Sequence, residues 1–303
     1  MQDVRTFWKF LREYDYVVTH CIACIGDFSR LSYLLPKSVI RKKLIWIEWG
    51  ADLYSSTDSK LTDALRRRIK QNVHTFVAIF PPDLDTYRQK FPKSKARMLY
   101  APYSGVIPAY YSDPEPGYRL ENREAEKPLS ILVGHNANKS LNHIAVLKEL
   151  KKYADENIRI ILPLSYNGTK AYADQVQTFA EETFPGKVTA LRELMAKADY
   201  YRFLDNVDIA IFNTQRQIAL GNIRKFIWQK AKVFISETCC MYGYFRENGI
   251  TVQKYEDIGQ MSFREFSAPQ ERYDPEKYRA YLDELMYVEA VQKRWEAVYK
   301  PLP

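Results

Sequence analysis

The sequence predicts an α/β protein of two Rossmann-like domains, and three observations carry that expectation. Short apolar runs of strand length alternate with amphipathic helical stretches along most of the chain, the pattern of parallel sheets with helices outside. A proline-rich interval containing Pro102, Pro108, Pro114, Pro116 and Pro128 interrupts the alternation and reads as a linker. The alternation then restarts at Leu129 to Leu150. There an apolar run ends at Gly134, a polar loop follows, and apolar residues recur at helical spacing. Strand, glycine turn, loop and helix are how a doubly wound domain opens, and such domains bind ligands outside the carboxyl ends of their strands.

In chain order, residues 3–13 suit a short amphipathic helix with Phe7, Phe10 and Leu11 on one face. Tyr16 to Thr19 reads as a strand closed by His20. Phe28 to Leu35 is helical until Pro36, and a basic group follows at Lys37, Arg41, Lys42 and Lys43. Leu44 to Trp49 is a buried-type strand that runs into Gly50, Ala51 and Asp52. Leu61 to Gln71 is a helix carrying Arg66, Arg67, Arg68 and Lys70. Val73 to Phe80 is a strand, Pro81-Pro82-Asp83 opens a helix, and Met98 to Tyr100 is a last short strand. These make an N-terminal domain over 1–112, with a linker over 113–128. The domain opens on a helix, so one strand-loop-helix unit is expected to be missing before it.

The second domain, 129–272, takes further strands at Ile158 to Leu162, Val188 with Thr189, Val207 to Phe212 and Val233 to Ile235. Its helices are expected at Ala171 to Phe184, Leu191 to Leu204, Ile223 to Gln229 and Met241 to Asn248. Over 273–303 lies one long helical pattern, Pro275 to Tyr299, with Tyr278, Leu282, Leu285, Val288 and Trp295 inward, placed to cross back.

Composition narrows the class. With 303 residues, 46% hydrophobic and 27% charged, the chain suits about two packed domains and not disorder. A net charge of +8 and a pI near 9.1 favour an anionic partner: a nucleotide, a pyrophosphate, an anionic membrane surface or a nucleic acid. Cys21 and Cys24 sit in an apolar segment and Cys239-Cys240 are adjacent. That spacing does not suit zinc, and reduced cytosolic thiols are expected. The four histidines show no zinc spacing, and His74 reads as core. No apolar run reaches the ~18–20 residues of a membrane span, and the N-terminus has no signal-peptide core. A cytoplasmic protein, peripheral at the inner face of the plasma membrane, is the expectation.

Four places put polar groups at strand ends. Asp52 follows a buried strand and could act as a base or hold a sugar hydroxyl; capping its turn is the plainer alternative. In the loop after Gly134, Ser140 suits an N-cap, and the N–H groups behind it, with Lys139, could hold an anion. Tyr166, after the strand that ends near Pro163, could stack on a base, or the segment could be an ordinary surface turn. Arg216, among Asn213, Thr214, Gln215 and Gln217, could neutralise phosphate where Gly221-Asn222 opens a helix. Beyond these four, Glu237 follows the last strand, Val233 to Ile235, and could accept from sugar hydroxyls or cap the next helix. No G-x-G-x-x-G, no Walker loop and no G-x-S-x-G occurs, which disfavours a dehydrogenase, an ATPase or a serine hydrolase of that type.

Several of these segments resemble one family. Trp49-Gly50-Ala51-Asp52-Leu53-Tyr54 is similar to the W-G-A-D-L-Y signature of glycosyltransferase family 56, the TDP-N-acetylfucosamine:lipid II N-acetylfucosaminyltransferases, also named the 4-alpha-L-fucosyltransferase family. Ile131-Leu132-Val133-Gly134 with Ser140 and His143, then Pro163, Tyr166 and Tyr172, then Arg216-Gln217 with Gly221, resemble its further motifs in the right order. His135-Asn136 stands where the family has Asn-Ser, Leu141 where Asn is usual, and Arg216 is shifted within its loop. The layout of two Rossmann-like halves and a crossing terminal helix resembles the GT-B type, whose domains face a cleft.

The resemblance implies transfer of N-acetylfucosamine from a TDP-sugar to a polyprenyl-pyrophosphate-linked saccharide, in enterobacterial common antigen assembly. It implies no bound metal and no cofactor, because arginine and helix starts carry the diphosphate. The donor would be held by Gly134, Asn136, Ser140, His143, Pro163, Tyr166, Arg216, Gln217, Gly221 and Glu237, with Asp52 catalytic on the acceptor side and Glu48 as fallback. Partners would be the TDP-sugar, the lipid-linked saccharide and an anionic membrane surface docked by Lys37, Arg41 to Lys43 and Arg66 to Lys70; no nucleic acid is expected. The rival reading is a non-catalytic basic binding protein for acidic lipid or RNA. It explains the charge but not the polar groups gathered at strand ends in both halves.

Overall fold

The run Leu44-Ile45-Trp46-Ile47 dictates how the first sheet is covered. All four side chains are buried, so the strand needs apolar partners on both faces. The computed structural model describes residues 4–22, 35–54, 59–103, 117–121, 123, 124, 126–286 and 288–300. In it the sheet is fully parallel, ordered β1 (Val17–His20), β2 (Leu44–Ile47), β3 (Thr75–Ala78) and β4 (Arg97–Tyr100). Leu44 and Trp46 pack with Phe76, Ile40, Ile69 and Tyr87, the last three carried by helices Lys37–Lys43, Lys60–Lys70 and Pro82–Lys90. Ile45 and Ile47 alternate to the opposite face. There, with Val77 and Ala101, they are covered by Val298 and Trp295 of the helix Val288–Tyr299.

The chain accordingly forms two compact units, Met1–Ser104 with Asp283–Pro303, and Gly105–Leu282. The second holds six parallel strands: β5 (Leu129–Val133), β6 (Ile158–Pro163), β7 (Val188–Leu191), β8 (Ile209–Phe212), β9 (Lys232–Ile235) and β10 (Gln253–Lys254). Their order is β10-β9-β8-β5-β6-β7. Counted from β5 this is 3-2-1-4-5-6, the doubly wound order, and the direction reverses between β5 and β8. Ile131, Leu132 and Val133 lie beside Ile209, Ala210 and Ile211 at that reversal. Val146, Leu150, Val176 and Ala180, from helices His143–Leu150 and Lys170–Thr183, pack on one face of the sheet. The fold is thus α/β with two Rossmann-like units, as the alternation predicted.

Several local expectations change. Leu191 ends β7, paired with Pro163, and the next helix begins only at Lys197, running to Leu204. The terminal pattern is Pro275–Met286 and Val288–Tyr299. Its first part packs within the second unit, Tyr281 lying edge-on to Phe245. Val288 is 63% exposed, and Val291 and Val298 are the buried residues of the second part. Leu11 is buried, while the side chains of Phe7 and Phe10, most of the expected helix Phe28 to Leu35, part of the 113–128 linker, and Cys24 lie outside the described residues. Cys21 is disulfide-bonded where a reduced thiol was expected; Cys239 and Cys240 remain thiols. No helix among the described residues is long and apolar enough to cross a membrane.

Candidate functional site

In the second unit, β5 delivers the chain to Gly134, whose φ of +69° favours glycine. A Cβ there would also lie 2.6 Å from His143 Nε2. His143 is buried, with Nδ1 3.1 Å from Tyr172 Oη, so it supports the turn from beneath instead of lining a ligand surface. Asparagines shape the loop between them. Asn136 Oδ1 accepts from Asn138 N and Asn138 Oδ1 accepts from Ser140 N, both at 2.9 Å. Ser140 is therefore not the N-cap. It sits in a one-turn 3-10 segment, Lys139–Leu141, and the helix His143–Leu150 starts after left-handed Asn142 without a side-chain cap. Local bonds from Asn side chains outcompete an earlier helix start. Ser140 Oγ and His135 Nδ1 are buried and take no hydrogen bond among the described residues.

The loop after β8 meets this one. Asn142 Nδ2 donates to Asn213 O at 3.2 Å. Arg216 N donates to Thr214 Oγ1, and Arg216 Nη1 donates to the carbonyl of buried Gln217. Burial, then the charges of His143 and Arg216, push His135 down to about 3, and burial lowers His143 to about 4. Both rings are neutral at physiological pH, so positive charge here comes from the Arg216 guanidinium and from Lys139, whose ammonium lies 5.6 Å over the Tyr172 ring. Gly221 lets the helix Leu220–Trp228 come close to Tyr201, whose Oη would be 3.3 Å from an added Cβ.

Loops after β5, β6 and β7 enclose a pocket of about 240 Å3 lined by His135, Pro163, Tyr166, Leu191, Leu194, Met195 and Tyr200, among others. Gly168 passes against Ala137, whose carbonyl oxygen would be 2.0 Å from an added Cβ. Tyr166 stands edge-on to His135 at 6.2 Å and stays 45% exposed. Of the residues singled out from sequence, Pro163 and Tyr166 line this pocket, and Arg216 acts on its His135. Gly134, Asn136, His143, Gln217 and Gly221 hold the loops and helices in place. Glu237 is instead ion-paired to Lys254 at 2.6 Å, and its N–H donates to Glu256. Leu191, Leu194, Met195 and Tyr200 were missed, because their segment read as one helix. The adjacent apolar pair Leu194-Met195 in a charged stretch was the available signal.

In the first unit Asp52 does not have the exposure a general base needs. It is buried, and its oxygens accept from Ile22 N at 2.9 Å, Trp46 Nε1 at 2.6 Å and Trp49 N at 2.9 Å. With those sites filled, it anchors the turn after β2. Glu48, the fallback, is equally buried and accepts from Gly50 N and Ile79 N. Burial, then the neighbouring Asp83 carboxylate, holds it well above the usual carboxylate range. The basic segments are also partly committed. Lys70 is buried and donates to Asp52 O, and Lys43 Nζ donates to the carbonyls of Leu11 and Tyr14 at 2.6 Å.

A doubly wound second unit, with polar loops meeting at its strand-order reversal, and another parallel Rossmann-like unit make up the two units of a GT-B fold. Three solved structures share the fold. A sucrose-phosphate synthase from Thermosynechococcus elongatus matches with a TM-score of 0.65 and 12% identity, over 98% of this chain and 76% of that one. An alpha,alpha-trehalose-phosphate synthase (UDP-forming) from Burkholderia vietnamiensis matches at 0.65 and 10%, over 97% and 73%. A TarM mutant from S. aureus, in complex with Fondaparinux, alpha-GlcNAc-glycerol and UDP, matches at 0.62 and 11%, over 98% and 58%. At such identities the likeness concerns the fold alone. The family is given by sequence: the chain belongs to 4-alpha-L-fucosyltransferase glycosyl transferase group 56, whose profile matches residues 26–271.

Proposed function

We propose that this glycosyltransferase moves an acetamido-deoxyhexose such as N-acetylfucosamine from a TDP-sugar to a polyprenyl-pyrophosphate-linked saccharide, in assembly of a cell-surface polysaccharide like enterobacterial common antigen. The observation that carries the donor half is the meeting of the β5 and β8 loops at the strand-order reversal, with Ser140 Oγ buried and without a hydrogen bond among the described residues. A buried hydroxyl without a partner is costly unless a ligand satisfies it. The neighbouring pocket, at about 240 Å3, is smaller than the ~300–1,000 Å3 of most ligand clefts. It suits one flat ring and not a whole nucleotide-sugar. The thymine ring enters it against Tyr166 and Pro163, and the diphosphate runs along the β5 and β8 loops.

Arg216 balances the leaving diphosphate, so no metal is required in this reading; transfer should persist in EDTA. The lipid-linked acceptor keeps the protein at the inner face of the plasma membrane. The test is calorimetry with TDP followed by a transfer assay from TDP-N-acetylfucosamine. Arg216→Ala should weaken TDP by ~1.5–3 kcal/mol, the scale of a charge-assisted hydrogen bond. Equal affinity for TDP in wild type and variant would remove Arg216 from the donor site, and no TDP binding by wild type would sink the donor half altogether.

A further inference from the structure

With Asp52 and Glu48 sunk in the first unit, another group there must meet an acceptor. Three side chains gather at the carboxyl ends of its strands: His20 closes β1, Trp49 follows β2 and Tyr103 follows β4. Tyr103 Oη is their hub. Trp49 Nε1 donates to it at 2.8 Å, and His20 Nδ1 lies 2.8 Å from it. Trp49 stands edge-on to His20 at 6.2 Å and to Tyr103 at 6.0 Å. Behind Tyr103 is Trp295, at 5.7 Å between rings, whose Nε1 donates to Pro102 O. The cluster is therefore fixed from within the unit, yet Trp49 is 53% exposed and His20 is exposed as well. An indole held in place and still open to solvent offers a flat apolar face with a polar edge. The axial hydrogens of a sugar ring match such a face.

We propose that Trp49 is the platform on which a sugar ring of the acceptor saccharide stacks, and that His20 Nε2 receives the proton of its attacking hydroxyl. This rests on the transferase reading above. In the tautomer proposed, Nδ1–H donates to Tyr103 Oη across the 2.8 Å contact and the Nε2 lone pair is available; Tyr103 is a positioning residue. In the step, the hydroxyl oxygen bonds to the anomeric carbon of the donor while the bond from that carbon to the diphosphate oxygen breaks. TDP leaves with the electron pair. The hydroxyl proton passes to Nε2, and the imidazolium returns it to water. Displacement from the opposite face inverts the anomeric centre.

Two measurements on the full chain test this. Saturation-transfer NMR with N,N′-diacetylchitobiose as probe reads the platform without any turnover. Transfer to the sugar protons is expected in wild type and in Trp49→Phe, and its loss in Trp49→Ala; equal transfer in wild type and Trp49→Ala overturns the platform. In the transfer assay His20→Ala should lose ~10²–10⁴-fold in kcat, the range of general-base catalysis, with TDP affinity unchanged and activity partly restored by added imidazole. Tyr103→Phe should lower kcat while leaving the acceptor KM little changed. An undiminished kcat in His20→Ala overturns the proton-acceptor role. A wild type that binds chitobiose through Trp49 but transfers from no TDP-sugar rejects the His20 step together with the transferase reading, and leaves the platform standing on the NMR result.

Discussion

Asp52 gives its two carboxylate oxygens to three N–H donors inside the first unit. Asp52→Asn replaces one acceptor oxygen with a donor that faces other donors. It should cost ~2–4 kcal/mol of stability, counting buried charge-assisted bonds at ~1.5–3 kcal/mol each, and leave TDP affinity intact. Urea unfolding and calorimetry read the two quantities separately. At Gly134 both the positive φ and the approach of His143 oppose a side chain. Gly134→Ala should destabilise by more than ~1 kcal/mol and weaken TDP binding by displacing the loop that carries Ser140. His135 and His143 supply a pH dependence. Their folded values, about 3 and about 4, lie below the ordinary ~6.5, so on acidification the unfolded chain takes up protons first. Stability is therefore fully present above about pH 6.5 and is lost as the pH falls toward 4 and then 3. Urea midpoints at pH 7.5 and 5 should differ in that direction, and His143→Asn should reduce the difference.

Elements differed in how far the sequence revealed them, and the reason is what holds each one. Leu44 to Ile47 and Leu129 to Val133 were legible because burial on both faces demands an unbroken apolar run. The strand Val188–Leu191 is only half-buried, and the helical period of its neighbours masked where it ends. The loop after β5 was located but its cap was misplaced, since Asn136, Asn138 and Asn142 shape it through side chain-to-backbone bonds that leave no periodic trace. His20 was read only as the close of its strand and Tyr103 was not singled out, because their meeting depends on the order and register of all four strands, β1 to β4, which only the paired sheet supplies. The helix Val288–Tyr299 is the cover for Ile45, Ile47 and Val77. Deleting residues 287–303 should expose that apolar face and collapse the first unit. Limited proteolysis should then digest residues before 104 while the second unit, with its TDP binding, survives.

Across the whole molecule, the net charge of +8 suits a protein that works beside an acidic lipid surface. Lys37, Arg41 and Lys42 are exposed on one helix, whereas Lys43 and Lys70 are tied to backbone carbonyls and contribute less. Co-sedimentation with anionic vesicles should fall as salt rises, since exposed charges beyond a ~10 Å Debye length are screened at 0.1 M, and Lys42→Glu should weaken it further. Vesicle binding indifferent to salt and to phosphatidylserine content would remove the electrostatic docking.

The return of the last helix to the first sheet also sets a schedule on the ribosome. The second unit is one continuous stretch, so it can finish folding as it emerges. The first unit is begun before the second and completed after it, because one face of its sheet waits for the helix Val288–Tyr299, which follows the second unit in the chain. Until then Ile45 and Ile47 are open to solvent, and a chaperone that recognises apolar strands should hold arrested nascent chains lacking Val298 but release chains that contain the whole helix Val288–Tyr299. A stop codon before residue 288 would thus leave the second unit folded and deprive the first of its closing helix.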